Sequence, residues 1–326
     1  MIEERTPPVR RRTFVGAVFG GLGITGLSAA PPKPKAGSTP MRPFGRTGVK
    51  LTVIGHAGAR LALLRTKERA RAQVRRAYDL GLNYFDCAHS YWEGHSEETY
   101  GDVLPPFRKN IFLTTKSGNR TRKGAEADLD LSLKRMKTDY VDLWQMHSVG
   151  TDAGKKEDID RILEPGGALE AFEAAKKAGK CRFIGFTGHA NPFLHLSLLQ
   201  RCDKFDTIFM PLHAADTAYL SFEKETLPEA VRQGIGVLGM KIFANGYLLR
   251  AFGVKQCLDY TLSLPVHAAV LGCSTLGQLE DDVRIAQSFK PLTNEGMNAL
   301  RARAVEKHRE VTNGPALEYW KKEVQP

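Results

Sequence analysis

The sequence predicts a (β/α)8 barrel, a TIM barrel that begins with a β-hairpin and is preceded by a signal segment. Eight short apolar runs, each typical of a buried parallel strand, alternate with amphipathic stretches typical of helices. Several helix candidates end at a glycine directly before the next apolar run, as in AYDLGLNYFD and KKAGKCRFIG. A doubly wound open sheet is the alternative. That fold usually carries a glycine-rich phosphate loop within a βαβ unit, and the sequence has none there.

The first part of the chain, residues 1–40, reads as a targeting segment followed by a linker. Residues 10–16, RRRTFVG, resemble a bacterial twin-arginine export signal, and a Pro/Lys linker, PPKPKAGSTP, closes the segment. The stretch GLGITG (21–26) matches G-x-G-x-x-G, but no strand precedes it, so it does not predict a dinucleotide site. The resemblance implies the export machinery as a partner. It also implies a location in the periplasm or cell envelope after a cytoplasmic stage, and allows transient membrane contact.

The second part, residues 41–326, is predicted to be the barrel with a C-terminal helix. It opens with a hairpin, MRPFGRTGVKLTVIG, that turns at Thr47 and Gly48. The strand candidates are LTVIG (51–55), NYFDCA (83–88), IFLTTK (111–116), YVDLWQM (140–146), CRFIGFT (181–187), TIFMPL (207–212), GVLGMKI (236–242) and AAVLGC (268–273). The helix candidates lie near 67–80, 96–104, 123–136, 167–178, 192–201, 224–233, 255–264 and 276–287, and a last one at 294–311 is expected to pack against the barrel.

Composition and charge favour a globular protein that takes an anionic small molecule. Hydrophobic residues make up 42% of the chain and charged residues 25%, which are ordinary values. The net charge is +11, of which residues 1–40 hold six Lys/Arg less two acids, or +4, which leaves +7 for the rest. This excess is spread out rather than concentrated in a stripe, so nucleic-acid binding is not expected. The five cysteines form no C-x-x-C pair and predict buried free thiols.

Four polar residues fall at or just beyond the C-terminal ends of three successive strand candidates: Asp86, Tyr91, Lys116 and His147. In a parallel barrel that end is the catalytic face, so the four side chains are expected to converge. Together they suggest a tyrosine acid whose pKa is lowered by the lysine, with the aspartate holding the lysine charged and the histidine orienting a carbonyl oxygen. Each residue alone has a structural explanation, such as an inter-strand ion pair or a packed aromatic.

With these motifs in order, residues 41–290 resemble the aldo-keto reductase family. Its Asp-x4-Tyr motif is matched by Asp86 and Tyr91 within GLNYFDCAHSY, its lysine by Lys116 and its histidine by His147. The resemblance implies hydride transfer from NADPH or NADH to a small-molecule aldehyde or ketone, with Tyr91 as general acid. It also implies a cofactor that lies across the C-terminal face of the barrel.

The resemblance also implies a set of cofactor contacts, several of which depart from the family pattern. Thr187 and Gly188 stand in place of a Ser-Asn pair that holds the nicotinamide amide, Met210 in place of a glutamine, and Met240 in place of a stacking tyrosine. Gln278 stands where an arginine often binds the 2′-phosphate, which leaves the choice between NADP(H) and NAD(H) open. The full set is Gly55, Thr187, Gly188, Met210, Met240, Lys241, Ser274, Thr275, Gln278 and Asp282.

Two functions of other classes remain open at this stage. One is an exported barrel that binds a cofactor as a sensor, because the nicotinamide contacts are altered. The other is a metal-dependent barrel hydrolase, which could use histidines near the strand ends: His56, His89, His147, His189 and His213. The hydrolase is disfavoured because no H-x-H pair follows the first strand and no carboxylate ends the last one. We therefore predict no metal site.

Overall fold

The computed structural model describes residues 38–150 and 157–311, and it contains the predicted barrel. Eight parallel strands close into a barrel in the order β10-β3-β4-β5-β6-β7-β8-β9. The strands of this barrel are β3 (Ile54–Ala57), β4 (Tyr84–Asp86), β5 (Phe112–Ser117), β6 (Val141–Met146), β7 (Cys181–Thr187), β8 (Thr207–Pro211), β9 (Gly236–Met240) and β10 (Ala268–Leu271). Six of the eight lie inside their predicted runs, while β3 extends two residues beyond its run to Ala57 and β5 one residue beyond its run to Ser117. The fold class is therefore confirmed. The leader and most of the linker lie outside the described residues.

The predicted N-terminal hairpin closes the amino end of the barrel. Strands β1 (Met41–Pro43) and β2 (Lys50–Thr52) pair antiparallel around a turn in which Gly48 has φ of 73°. The turn delivers Phe44, which is fully buried and meets the ring of Phe112 edge-on, with the centroids 5.6 Å apart. The Phe44 ring plugs this end of the barrel, and we call it the aromatic plug. A Cβ on Gly236 would overlap that ring, which explains why β9 begins with a glycine.

The barrel interior is apolar on the amino-terminal side of the strand ends. Alternation along each strand turns every second side chain inward, so Tyr84 and Asp86 of β4 share a face, as do Phe112, Thr114 and Lys116 of β5. The apolar residues packed inside the barrel are Phe44, Leu51, Ala57, Tyr84, Phe112, Leu143, Phe209, Leu238, Met240, Ala268 and Val270. This plugged interior leaves the C-terminal end as the place for a cavity.

Helices cover the barrel outside. They are α1 (Lys67–Asp79), α2 (His95–Val103), α3 (Arg122–Met136), α4 (Glu157–Leu163), α5 (Ala168–Lys177), α6 (Pro192–Arg201), α7 (Phe222–Glu225), α8 (Leu227–Arg232), α9 (Leu249–Ser263), α10 (Leu276–Gln287) and α11 (Asn294–Val311). Side-chain caps set several starts: Thr66, Thr121 and Thr275 each accept a bond from the backbone N–H three residues on.

Three helices differ from the prediction. The helix expected at 224–233 is split into α7 and α8, because Pro228 has no N–H to continue the ladder. Helix α9 begins at Leu249 and passes a kink at Gly253, where φ is 68°. Helix α4 was not predicted, since its segment is charged and shows no clear apolar period.

Two further features concern the chain as a whole. All five cysteines are buried and unpaired, as the sequence predicts. Within residues 38–150 and 157–311, no helix combines the length and the apolar character needed to cross a bilayer.

Candidate active site

A buried ion pair lies at the C-terminal end of the barrel. The Nζ atom of Lys116 donates to Oδ2 of Asp86 at 2.7 Å and to the carbonyl oxygen of Cys87 at 2.6 Å. It also lies 3.4 Å from the hydroxyl of Tyr91 and 4.8 Å from the centre of that ring. Both charged side chains are 1% exposed. The sequence-predicted aspartate, lysine and tyrosine therefore meet in one cluster.

The backbone explains how the three side chains meet. Asp86 pairs with Thr114 across the strands, and Lys116 lies two residues further along β5 on the same inner face. The chain then leaves β4 and turns, with the N–H of Tyr91 bonded to the carbonyl of Ala88 at 3.1 Å. The two residues after Tyr91, Trp92 and Glu93, have φ of 49° and 55°. Side chains other than glycine rarely adopt this conformation, and such strain is found at functional sites.

The protonation of Tyr91 differs from the prediction. Burial raises its pKa to about 12, and the charge of Lys116 opposes this rise without cancelling it. The expected net lowering is therefore wrong, because the loss of water around the phenol outweighs the neighbouring ammonium. Burial by itself would lower the pKa of Lys116, but Asp86 and Tyr91 raise it above its usual value. The pair is thus a charged lysine beside a neutral phenol.

A cavity of about 420 Å³ opens above this cluster. Asp86, Tyr91 and His147 line it, and the rings of Tyr91 and His147 meet edge-on with their centroids 5.6 Å apart. Burial, and then the charge of Lys116, hold the pKa of His147 well below its usual value. His147 is therefore a neutral imidazole, able to donate one hydrogen bond into the cavity.

Five of the ten predicted cofactor residues line the same cavity: Met240, Lys241, Ser274, Gln278 and Asp282. The Oε1 atom of Gln278 accepts a bond from the N–H of Ser274 at 2.7 Å, so this side chain folds back on its own loop. Asp282 accepts a bond from the thiol of Cys273 at 3.3 Å, and burial raises the pKa of its carboxyl to about 6.

The other five lie off the cavity wall. Gly55 faces the barrel interior, where a Cβ would overlap the ring of Tyr84. Met210 belongs to the core outside the barrel, because the alternation along β8 turns Phe209 inward instead. On this strand Phe209, and not Met210, therefore faces the cavity.

Two of these five close the end of β7. Thr187 is buried, and its carbonyl accepts a bond from the N–H of Val149 at 2.7 Å. Gly188 packs so closely that a Cβ would overlap Nε2 of His195 and the carbonyl oxygen of Val149. Packing alone therefore requires a glycine at this position.

The fifth, Thr275, caps α10 and is not among the cavity-lining residues. Its hydroxyl accepts a bond from the N–H of Gln278 at 3.2 Å, and its carbonyl accepts one from Gln73 at 3.2 Å.

The sequence also missed cavity residues. Arg60 comes from a 3-10 segment, Gly58–Leu64, that has no sequence signal, and its stem lies against Gly272. Phe209 also lines the cavity, and the alternation of side chains along β8 was the sequence signal that could have identified it. Burial, and then the charge of Arg60, lower the pKa of Lys241. Two cationic side chains therefore approach each other on one wall.

The five histidines that suggested a metal centre do not converge. Among them, His147 and His189 line the cavity. His56 bonds the hydroxyl of Tyr100 at 2.7 Å and ties the barrel to α2, while His89 lies 3.5 Å from Asp128. Among the residues that the structure describes, no group of three or more His, Cys, Asp or Glu side chains is arranged to hold a metal ion.

Comparison with known proteins agrees with this geometry. A family model described as the aldo/keto reductase family matches residues 64–256. The uncharacterized oxidoreductase YqkF of Bacillus subtilis is 28% identical over 281 residues, which cover 72% of this chain and 88% of that protein. L-Galactose dehydrogenase of Arabidopsis thaliana is 28% identical over 224 residues, which cover 64% and 66% of the two chains.

A solved structure with the same architecture is the holo form of an aldo-keto reductase from Bacillus halodurans. It superposes with a TM-score of 0.67 at 25% identity, over 81% of this chain and 95% of that one.

The close packing at Gly188 gives a stability prediction. Gly188→Ala should lower the free energy of unfolding by about 1–3 kcal/mol, because its methyl group overlaps His195 and a fixed backbone carbonyl. Gly118→Ala is the matched control, since nothing lies within 4 Å of a Cβ there. It should be neutral or stabilising by up to about 1 kcal/mol. Urea unfolding measures both, and equal stability of the two variants would contradict the packing argument.

Proposed function

The chain belongs to the aldo/keto reductase family, and we propose that it reduces the carbonyl group of an aldehyde or ketone with NADPH or NADH. The observation that carries this proposal is the contact of the buried Lys116–Asp86 pair with Tyr91, which presents its phenol to the cavity beside His147. Oxidoreductases among its relatives support an enzyme over a passive binding protein.

The cavity wall suits the anionic phosphates of such a cofactor. Arg60 and Lys241 line it, and within the described residues neither has a carboxylate partner. The amino end of α10, capped by Thr275, lies at the same rim and adds a favourable dipole for an anion. When bound, the reduced nicotinamide supplies a hydride to the carbonyl carbon.

The residues of the chain handle the oxygen of that carbonyl. Neutral His147 donates a hydrogen bond that orients it, and Tyr91 gives it a proton as negative charge develops there. A phenol with a pKa of about 12 is fully protonated at neutral pH, and it still donates to an alkoxide, which is the stronger base. Lys116 then stabilises the phenolate left behind, and Asp86 holds Lys116 in place.

The proton transfer is tested by removing the hydroxyl alone. Tyr91→Phe keeps the ring and should lower the single-turnover rate for 4-nitrobenzaldehyde by ~10²–10⁴-fold, with cofactor affinity nearly unchanged. Lys116→Met should be similarly damaging, and the double variant should be little worse, because both residues serve one step. The control is Tyr78→Phe, which removes a hydroxyl on α1 that bonds Asn110. Full activity in Tyr91→Phe would reject Tyr91 as the acid, whereas a wild-type protein that turns over no carbonyl compound would favour a cofactor-binding sensor.

The cofactor preference is tested at Gln278. Its amide cannot form the paired bonds that a guanidinium makes with a phosphate, so we expect similar affinity for NADH and NADPH. Gln278→Arg should shift the preference towards NADPH, although it loses the bond to the N–H of Ser274. Gln287→Arg adds the same charge at the far end of α10 as a control. A wild-type protein that already binds NADPH a hundredfold more tightly would contradict the assignment of this loop.

We also propose that residues 1–40 direct twin-arginine export. The arginine motif of this segment lies outside the described residues. Changing Arg11 and Arg12 to lysine preserves charge, so folding should be intact while the protein accumulates in the cytoplasm. Cell fractionation with an activity assay measures this. A double variant that fractionates like the wild type would show that the segment has another role.

A further inference from the structure

His189 is a polar group of the cavity that the reaction described above does not use. It follows Thr187 and Gly188 directly at the end of β7, and its side chain lines the cavity together with Tyr91 and His147. The backbone on either side is tightly packed: Gly188 lies against His195, and Ala190 is fully buried. The chain therefore holds the ring of His189 on the cavity wall.

The protonation of His189 follows from its surroundings. Burial, and then the charges of Lys241 and Lys116, lower its pKa to about 3, so the ring is neutral. Its Nδ1 atom is buried without a hydrogen-bond partner among the described residues. A buried N–H without an acceptor is rarer than an unused lone pair, so the proton belongs on Nε2. Nε2 is not among the buried polar atoms that lack a partner in the described residues. Because His189 lines the cavity, we assign Nε2 as the donor that faces it.

The cavity thus holds more donors than one carbonyl oxygen needs. Tyr91 and His147, whose rings are in contact, serve the reacting oxygen. His147 and His189 both line this cavity, so their donors face the same bound molecule. A donor that finds no acceptor in a bound substrate loses the water that it bonded before. A site of this kind rejects molecules that lack the matching acceptor.

We propose that His189 is a specificity-determining residue, which donates a hydrogen bond to a second acceptor close to the reacting carbonyl of the substrate. The preferred substrates are therefore carbonyl compounds with a neighbouring oxygen or nitrogen lone pair. This inference rests on the proposed function, since it assumes that a carbonyl substrate occupies the cavity.

The test uses three isomers that differ only in where the acceptor lies: pyridine-2-, pyridine-3- and pyridine-4-carbaldehyde. The kcat/KM of each is measured for the wild type, for His189→Phe, which keeps a ring without a donor, and for His189→Gln, which returns an N–H at a similar reach. Differences in intrinsic reactivity cancel when each variant is compared with the wild type. His189→Phe should narrow the range of kcat/KM among the three isomers roughly tenfold, which corresponds to one hydrogen bond of ~1.4 kcal/mol. His189→Gln should restore much of that range.

Two results would overturn the inference. One is an unchanged isomer spread in His189→Phe. The other is an equal loss for all three aldehydes with weaker cofactor binding, measured by fluorescence titration, since His189 would then serve the cofactor. Tyr91→Phe is run beside them to separate this inference from the proposed function. Loss of turnover in Tyr91→Phe with an unchanged isomer spread in His189→Phe retains the proposed reaction and rejects the role of His189. Retained turnover in Tyr91→Phe with a narrowed spread in His189→Phe rejects Tyr91 as the acid and retains the role of His189.

Discussion

The ion pair between Lys116 and Asp86 is the interaction on which the candidate site depends. Two charges that are both 1% exposed carry a large desolvation cost, which their attraction offsets only if the geometry is good and the remaining donors are satisfied. Here the lysine is satisfied by the carboxylate and by the carbonyl of Cys87, at 2.7 and 2.6 Å. Well-packed apolar side chains of similar volume would stabilise the fold about as much as such an ion pair. Its value lies in fixing a positive charge beside Tyr91.

The barrel makes this pair possible by fixing the register of β4 and β5. The pairing of Asp86 with Thr114 puts Lys116 one inward step further along the neighbouring strand. A slip of one residue would turn the lysine outward. The aromatic plug of Phe44 closes the opposite end, and the apolar interior between plug and pair excludes water from below. The cavity therefore opens at the C-terminal end, where the pair lies.

The sequence was sufficient for the parts of the structure that depend on periodicity. Eight apolar runs predicted the eight strands, and polar residues after three of them predicted the cluster of Asp86, Lys116 and Tyr91. Details that depend on competing energies could not be predicted in this way. The pKa of Tyr91 is set by burial against the charge of Lys116, and neither burial nor distance can be read from sequence spacing. Arg60 was missed because an irregular segment carries no period.

In the proposed reaction, the positive charges of the site would also decide which group moves the proton. Lys116 helps to depress the pKa of both His147 and His189, which burial lowers most, so each ring stays neutral near pH 7. A neutral imidazole donates a hydrogen bond but is a far weaker acid than a phenol. Of these three cavity groups, Tyr91 alone can then both give a proton to a forming alkoxide and leave an anion that Lys116 stabilises. In the proposed reaction, the electrostatics that keep the histidines neutral would thus leave the phenol as the acid and the imidazoles as hydrogen-bond donors that position the substrate.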